Sequence, residues 1–187
     1  MSAGFQVSSN QSSGDYTGSV REFDIAVGNA DRLAVGDVVV LTGTANATTG
    51  IAGVGKASQS ARIAGVISSF APNIANESFN DATGLAASTA GTAFVVIDKN
   101  VLFEVESNST LAITDVGLNA DAVVTAATQT GGLTISNMVL AASTKNTTNT
   151  LHFKIHKLLL GATSKVFGDR AVVSIAGSLL QGDQTGV

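Results

Sequence analysis

Cysteine is absent from the chain. Disulfide staples, thiolate metal sites and cysteine nucleophiles are therefore excluded. Tryptophan is absent too, there is one tyrosine, Tyr16, and the single proline is Pro72. Sugar-binding hydrolases present aromatic platforms, and this composition offers few. Charged residues make up only 13% of the chain, about half the usual share. A surface this poor in charge is expected to lie largely against other protein. Formal net charge is -4, and the ten basic residues are scattered, with Lys154, Lys157 and Lys165 the densest group. Nucleic-acid binding needs a positive stripe to displace phosphate counterions, so no nucleic-acid partner is expected. No apolar run approaches the ~20 residues of a membrane helix, and no membrane partner is expected. The N-terminal stretch has neither the basic start nor the apolar core of a secretory signal.

What the chain does contain is β pattern. Apolar residues are 44% of 187, enough for one sizeable core or for two small ones. Residues 1–20 are rich in Ser, Gly and Gln, and read as a flexible arm with Phe5, Val7 and Tyr16 as anchors. Those anchors could grip a neighbouring molecule or the chain's own domain. Residues 21–187 read as the β-rich domain. Phe23, Ile25 and Val27 alternate with polar or small residues. Gly36-Asp37 is a turn feeding the β-branched run Val38 to Leu41. Arg62 to Phe70 is a further strand ended by Pro72. The polar stretch from Asn73 to Thr92 reads as a long exposed connection and as a place where the domain could subdivide. Ala93 to Asp98 and Val101 to Glu106 read as a tight hairpin turning at Lys99-Asn100. Leu133 to Leu140, Leu151 to Leu160 and Ala171 to Leu180 complete eight to ten strands with no long helix. The expected class is all-β: an antiparallel β-barrel or sandwich, as one unit or as two small fused barrels, with an extended N-terminal arm.

Three patterns imitate chemistry. Gly50 to Ser58 nearly matches a phosphate loop, but Ala57 stands where a hydroxyl must ligate magnesium, and a strand rather than a helix follows. His152 and His156 are four apart; in a strand that separates them by about 13 Å at ~3.3 Å per residue, too far to share a metal. With Lys154 they read as a solvated or interface face. Asp115, Asp121 and Glu104 could supply a hydrolase's carboxylates, or sit in turns and on solvated faces. No catalytic residue, cofactor site or metal site is assigned, and the chain is not expected to be an enzyme.

In order along residues 21–180, LAVGDVVVLTG with GIAGVGKA and ARIAGVISSF, then AFVVIDKNVLFEVE, then LAITDVGLNADAVV followed by LHFKIHKLLL and DRAVVSIAGSLL, resemble small virion proteins of tailed phages. Those are capsid decoration, or cement, proteins built on β-barrels. The resemblance implies a virion protein on the outer capsid surface, partnered by the major capsid protein and self-associating as a homotrimer. The candidate contacts are Phe5, Val7 and Tyr16 in the arm, and His152, Lys154 and His156. A head-fibre or tail-associated adhesin for a host glycan is the alternative function.

Overall fold

In a computed structural model the protein is described over residues 4–11, 20–59, 61–72, 83–178 and 180. It is all-β, and its strands build two lobes: one core fills the barrel, and a second runs from the sheet across the seam to Val38, Val66 and Val96 of the barrel strands.

The first lobe is a closed five-stranded barrel. Its strands are β2 (Arg21–Ile25), β4 (Val38–Ala45), β5 (Ala52–Lys56), β6 (Gly65–Phe70) and β8 (Gly91–Val96), in the order β2-β5-β4-β6-β8. All neighbours are antiparallel except β2 and β5, whose parallel contact at Asp24 and Gly53 closes the barrel. The alternation read in the sequence explains the burial: Phe23 and Ile25 point inward with Val39, Val54, Ile67 and Val95. The short strands β3 (Leu33–Ala34) and β7 (Gly84–Leu85) pair beside the barrel, and all four of their residues are buried. Of the stretch expected to be an exposed connection, residues 73–82 lie outside the described residues, and Gly84 and Leu85 are interior instead.

The second lobe is a five-stranded antiparallel sheet in the order β1-β9-β16-β15-β10. These are β1 (Gln6–Asn10), β9 (Val101–Glu106), β16 (Phe167–Ile175), β15 (Phe153–Leu160) and β10 (Asn119–Ala120). Val101, Phe103 and Val105 face its core, as their spacing predicts. The expected hairpin does not form. β8 pairs with β2 and β6, whereas β9 pairs with β1 and β16. The turn at Asp98–Asn100 therefore passes the chain from one lobe to the other, and the lobes divide there rather than within 73–92.

The N-terminal residues also depart from the expected loose arm. Gln6–Asn10 pairs with β9, and Phe5 is 2% exposed. Its ring stacks on Phe153 with centroids 4.2 Å apart and planes at 16°. Val7 packs on the same core. Thus Phe5 and Val7 anchor this segment to its own domain. Tyr16 lies outside the described residues.

Two further strand pairs lie between the lobes. β11 (Ala122–Val123) pairs with β14 (Val139–Leu140), and β12 (Thr128–Thr130) with β13 (Leu133–Ile135). The β12–β13 hairpin turns at Gly131 and Gly132, both at positive φ. It reaches back to the barrel lobe, where Thr134 accepts a bond from Arg32 at 3.2 Å and its N–H donates to Thr83 Oγ1 at 3.1 Å.

Removing residues 1–20 deletes an interior aromatic and a paired strand. Truncation is expected to destabilise the fold, not merely shed an arm. Phe5→Ala alone is expected to cost about 3–5 kcal/mol, read as a lower urea midpoint with an unchanged slope. A midpoint equal to wild type would show that Phe5 does not pack as described.

Candidate interaction surfaces

The seam between the lobes holds the most constrained polar groups. Gly36 takes a positive φ of 89, which lets Asp37 fold back and accept the Ala34 N–H at 2.8 Å. The other carboxylate oxygen accepts the Ser136 hydroxyl at 2.5 Å, from the segment between β13 and β14. Phe5 N–H donates to the Gly36 carbonyl at 2.9 Å. Gly4 sits so close to Ser136 and the Gly36 carbonyl that no Cβ fits. Asp37 is fully buried. Burial pushes its pKa up to about 6, against the opposing pull of Ser136, the Ala34 N–H and the Lys56 charge.

His152 is the seam's second ionisable group, and it is not solvated as the strand alternation suggests. It precedes β15 and is fully buried. The Ala122 N–H donates to Nδ1 at 3.0 Å, which fixes the neutral tautomer with its proton on Nε2. Nε2 has no hydrogen-bond partner among the described residues. Asp121, also buried, lies 3.6 Å from Nδ1 and accepts the His152 backbone N–H at 3.3 Å. Burial lowers the His152 pKa, outweighing Asp121 and the carbonyls of Ala61 and Ser58, which pull it up. The His152 carbonyl takes the Ala176 N–H at 2.8 Å, and Gly177 in turn accepts Ile63 of the barrel lobe at 2.9 Å.

Lys154 and His156 lie on the outer face of the sheet. Lys154 is exposed, and half-buried His156 is the extra residue of a bulge between Ile155 and Lys157. His156 Nε2 lies 2.8 Å from Ser174 Oγ. The six candidate contact residues thus do not form one surface. Phe5 and His152 are interior, Val7 is half-buried, Lys154 and His156 sit outside, and Tyr16 is not described.

The carboxylates read as hydrolase candidates are dispersed. Asp115 accepts Lys145 at 2.6 Å and the Ala112 N–H at 2.8 Å. Glu104 accepts Ser8 at 3.1 Å and faces Arg170 at 3.3 Å on the sheet's outer face. Asp121 is sealed beside His152. A small open groove beside the seam, lined by Phe5, Val7, Val35, Gly36 and Ile67 among others, brings no ionisable side chain to its wall. Among the described residues no three His, Asp or Glu side chains gather as a metal site would need. The phosphate-loop imitation is the strand β5, and its Lys56 pairs with Asp31 at 2.7 Å.

The signal that sequence reading missed is a patch of apolar side chains at one end of the sheet lobe. The lobe's other end abuts the barrel, through Gly177 and Ile63. At the far end Leu160 pairs with Phe167 across the β15–β16 turn. Leu160 is 54% exposed and Phe167 53%, with Val166 exposed between them. The Leu111 N–H donates to the Gly168 carbonyl at 2.9 Å. From there the chain runs through the 3-10 turn Ile113–Asp115, where Ile113 is 77% exposed, to Gly117, whose N–H donates to the Ile155 carbonyl at 2.8 Å near the start of β15. Leu160, Val166 and Phe167 are thus three neighbours among the exposed large hydrophobics of the described residues. Such clustering marks an interaction surface, whereas single exposed apolar residues do not.

Comparison with family models, curated proteins and solved structures finds no match to this chain.

The two seam groups predict opposite pH dependences. Folding raises the Asp37 pKa, so its contribution is complete below the unfolded value of 3.8 and lost as pH rises through about 6. Asp37→Asn keeps an acceptor for Ala34 without the charge. Its stability relative to wild type is expected to rise by about 2 kcal/mol between pH 4 and 7.5 in urea melts. A difference that does not vary with pH would refute the buried charge. Folding lowers the His152 pKa, so its contribution is present above the unfolded histidine value and lost as pH falls below it. By NMR the His152 ring is expected to stay neutral to lower pH than a free histidine. Titration at or above the free value would refute the neutral tautomer.

Proposed function

We propose that the protein is a non-enzymatic virion component that decorates the outer surface of a tailed-phage capsid and stabilises it by binding coat-protein subunits. The carrying observation is the apolar patch at the free end of the sheet lobe, on a chain with only 13% charged residues. A protein that functions by covering another protein needs a rigid body and one sticky end. The two closely bonded lobes supply the first and the patch the second. The sequence resemblance to decoration proteins supports the choice of partner. A net charge of -4 suits an external position, since an internal one faces DNA. Copies are expected to gather about a local symmetry axis as trimers. Binding only the assembled shell then stabilises it by mass action, and many weak contacts sum through multivalency.

The test is co-sedimentation of purified protein with expanded capsids stripped of it, using unexpanded proheads as comparison. Saturable binding to expanded shells at a fixed ratio to coat protein, with a higher shell melting temperature, is the expected result. Failure to bind either shell would reject the decoration reading and favour the host-glycan adhesin.

A further inference from the structure

We propose that His152 is a proton-operated catch: taking up a second proton releases the junction at which the sheet lobe holds the barrel lobe. The inference is independent of the decoration reading. Three segments meet at this ring. The chain after β10 supplies Asp121 and the Ala122 N–H. The chain just past β16 supplies the N–H groups of Ala176 and Gly177, which donate to the His152 carbonyl at 2.8 and 3.3 Å. The barrel lobe joins through Ile63, whose N–H donates to the Gly177 carbonyl at 2.9 Å and which bridges to Ser178. The barrel-lobe carbonyls of Ser58 and Ala61 face the ring as well.

A second proton conflicts with this arrangement at Nδ1. That atom accepts the Ala122 N–H at 3.0 Å, so it must present a lone pair. An imidazolium carries an N–H on both nitrogens and would set donor against donor there. The new N–H has one carboxylate near it, Asp121 Oδ1 at 3.6 Å, which is beyond hydrogen-bond distance. The cation is therefore satisfied only if the ring or its surroundings move. Water offers no alternative in place, because His152 and Asp121 are both buried. No second charge offsets the cation: Ala122, Val123 and residues 176–178 carry no titratable side chain, and Lys154 is exposed on the outer face of the sheet. Moving His152 strains the bonds of its carbonyl to Ala176 and Gly177, and through Gly177 the hold on Ile63. Burial keeps the closed ring neutral below the ordinary histidine value of 6.5, so the open form gains the proton as pH falls.

The experiment is amide hydrogen exchange, read by NMR on the full chain between pH 7.5 and 5. Asp37 favours the closed seam as pH falls, so the readout must resolve single amides. Protection at Ala122 and Ile63 is expected to fall by up to about tenfold per pH unit below 6.5, while Phe103 and Val95 in the two cores keep theirs. Equal loss at all four amides, or none at Ala122 and Ile63, overturns the catch. His152→Asn offers Ala122 a carbonyl oxygen that takes no proton, and is expected to abolish the pH dependence. Persistence of the loss in that variant, once folded, also overturns it. Asp121→Asn keeps an acceptor for the His152 backbone N–H but removes the counter-charge. It is expected to enlarge the loss at pH 5 relative to its own value at pH 7.5. If Asp121→Asn abolishes the loss instead, the carboxylate is the sensor and the proposal fails.

Discussion

The bond between the Asp37 carboxylate and the Ser136 hydroxyl fixes how the two lobes meet. A carboxylate without water must be bonded, and each of its oxygens has one partner, one from its own lobe and one from the other. Sliding the lobes by a single residue would strand the charge. The surrounding backbone repeats the constraint. Phe5 reaches the Gly36 carbonyl, and the Val38 N–H meets the Met138 sulfur at 3.1 Å. Gly4 and Gly36 allow the approach, one through the missing Cβ and the other through its positive φ. Polar groups sealed this way define one arrangement, since every alternative leaves at least one of them unpaired.

The path of the chain makes the seam cooperative. The first strand belongs to the sheet lobe, the next seven elements build the barrel and its flanking pair, and only then does the chain return to complete the sheet. The sheet lobe therefore encloses a long excursion, and its core is finished by residues from both sides of it. The Phe5–Phe153 stack joins positions almost at opposite ends of the described chain. Contacts this distant in sequence cost loop-closure entropy before they return stability. The sheet lobe cannot be completed until that excursion is made, whereas the barrel is one uninterrupted segment, Arg21 to Val96.

Much of the architecture could be read from residue patterns. Alternation located the barrel strand at Phe23 and Ile25, the Val101 face of β9, and the core side of β15. Pairing could not be read the same way. Lys99-Asn100 has the length of a hairpin turn, but strand period carries no information about partner, and here both flanking strands found better partners elsewhere. The same limit hid β1: a Ser-rich run looks like an arm until a neighbouring strand edge is available to it. His152 failed for another reason. Alternation was extended one residue past the start of β15, where the chain turns inward, so a core histidine was placed on the outer face. The bulge at His156 then shifts the outer face by one, and periodicity has no term for an inserted residue.

The distal patch was illegible for a complementary reason. Leu160 belongs to an apolar triplet, and such a run reads as core; only the position of the turn decides that it ends in solvent. Composition had hinted at the consequence through the shortage of charge, but not where it lay. The structure makes the shortage local. Acids near the patch accept bonds from Ala162, Thr110 and Lys145, which hold the turn and the crossing segment in place. A neutral donor satisfies a carboxylate without cancelling its charge, so Glu106 and Asp169 remain anions that offset Lys157 and Lys165, as Asp115 offsets Lys145. What marks that end is therefore its exposed apolar area and not a bias of sign.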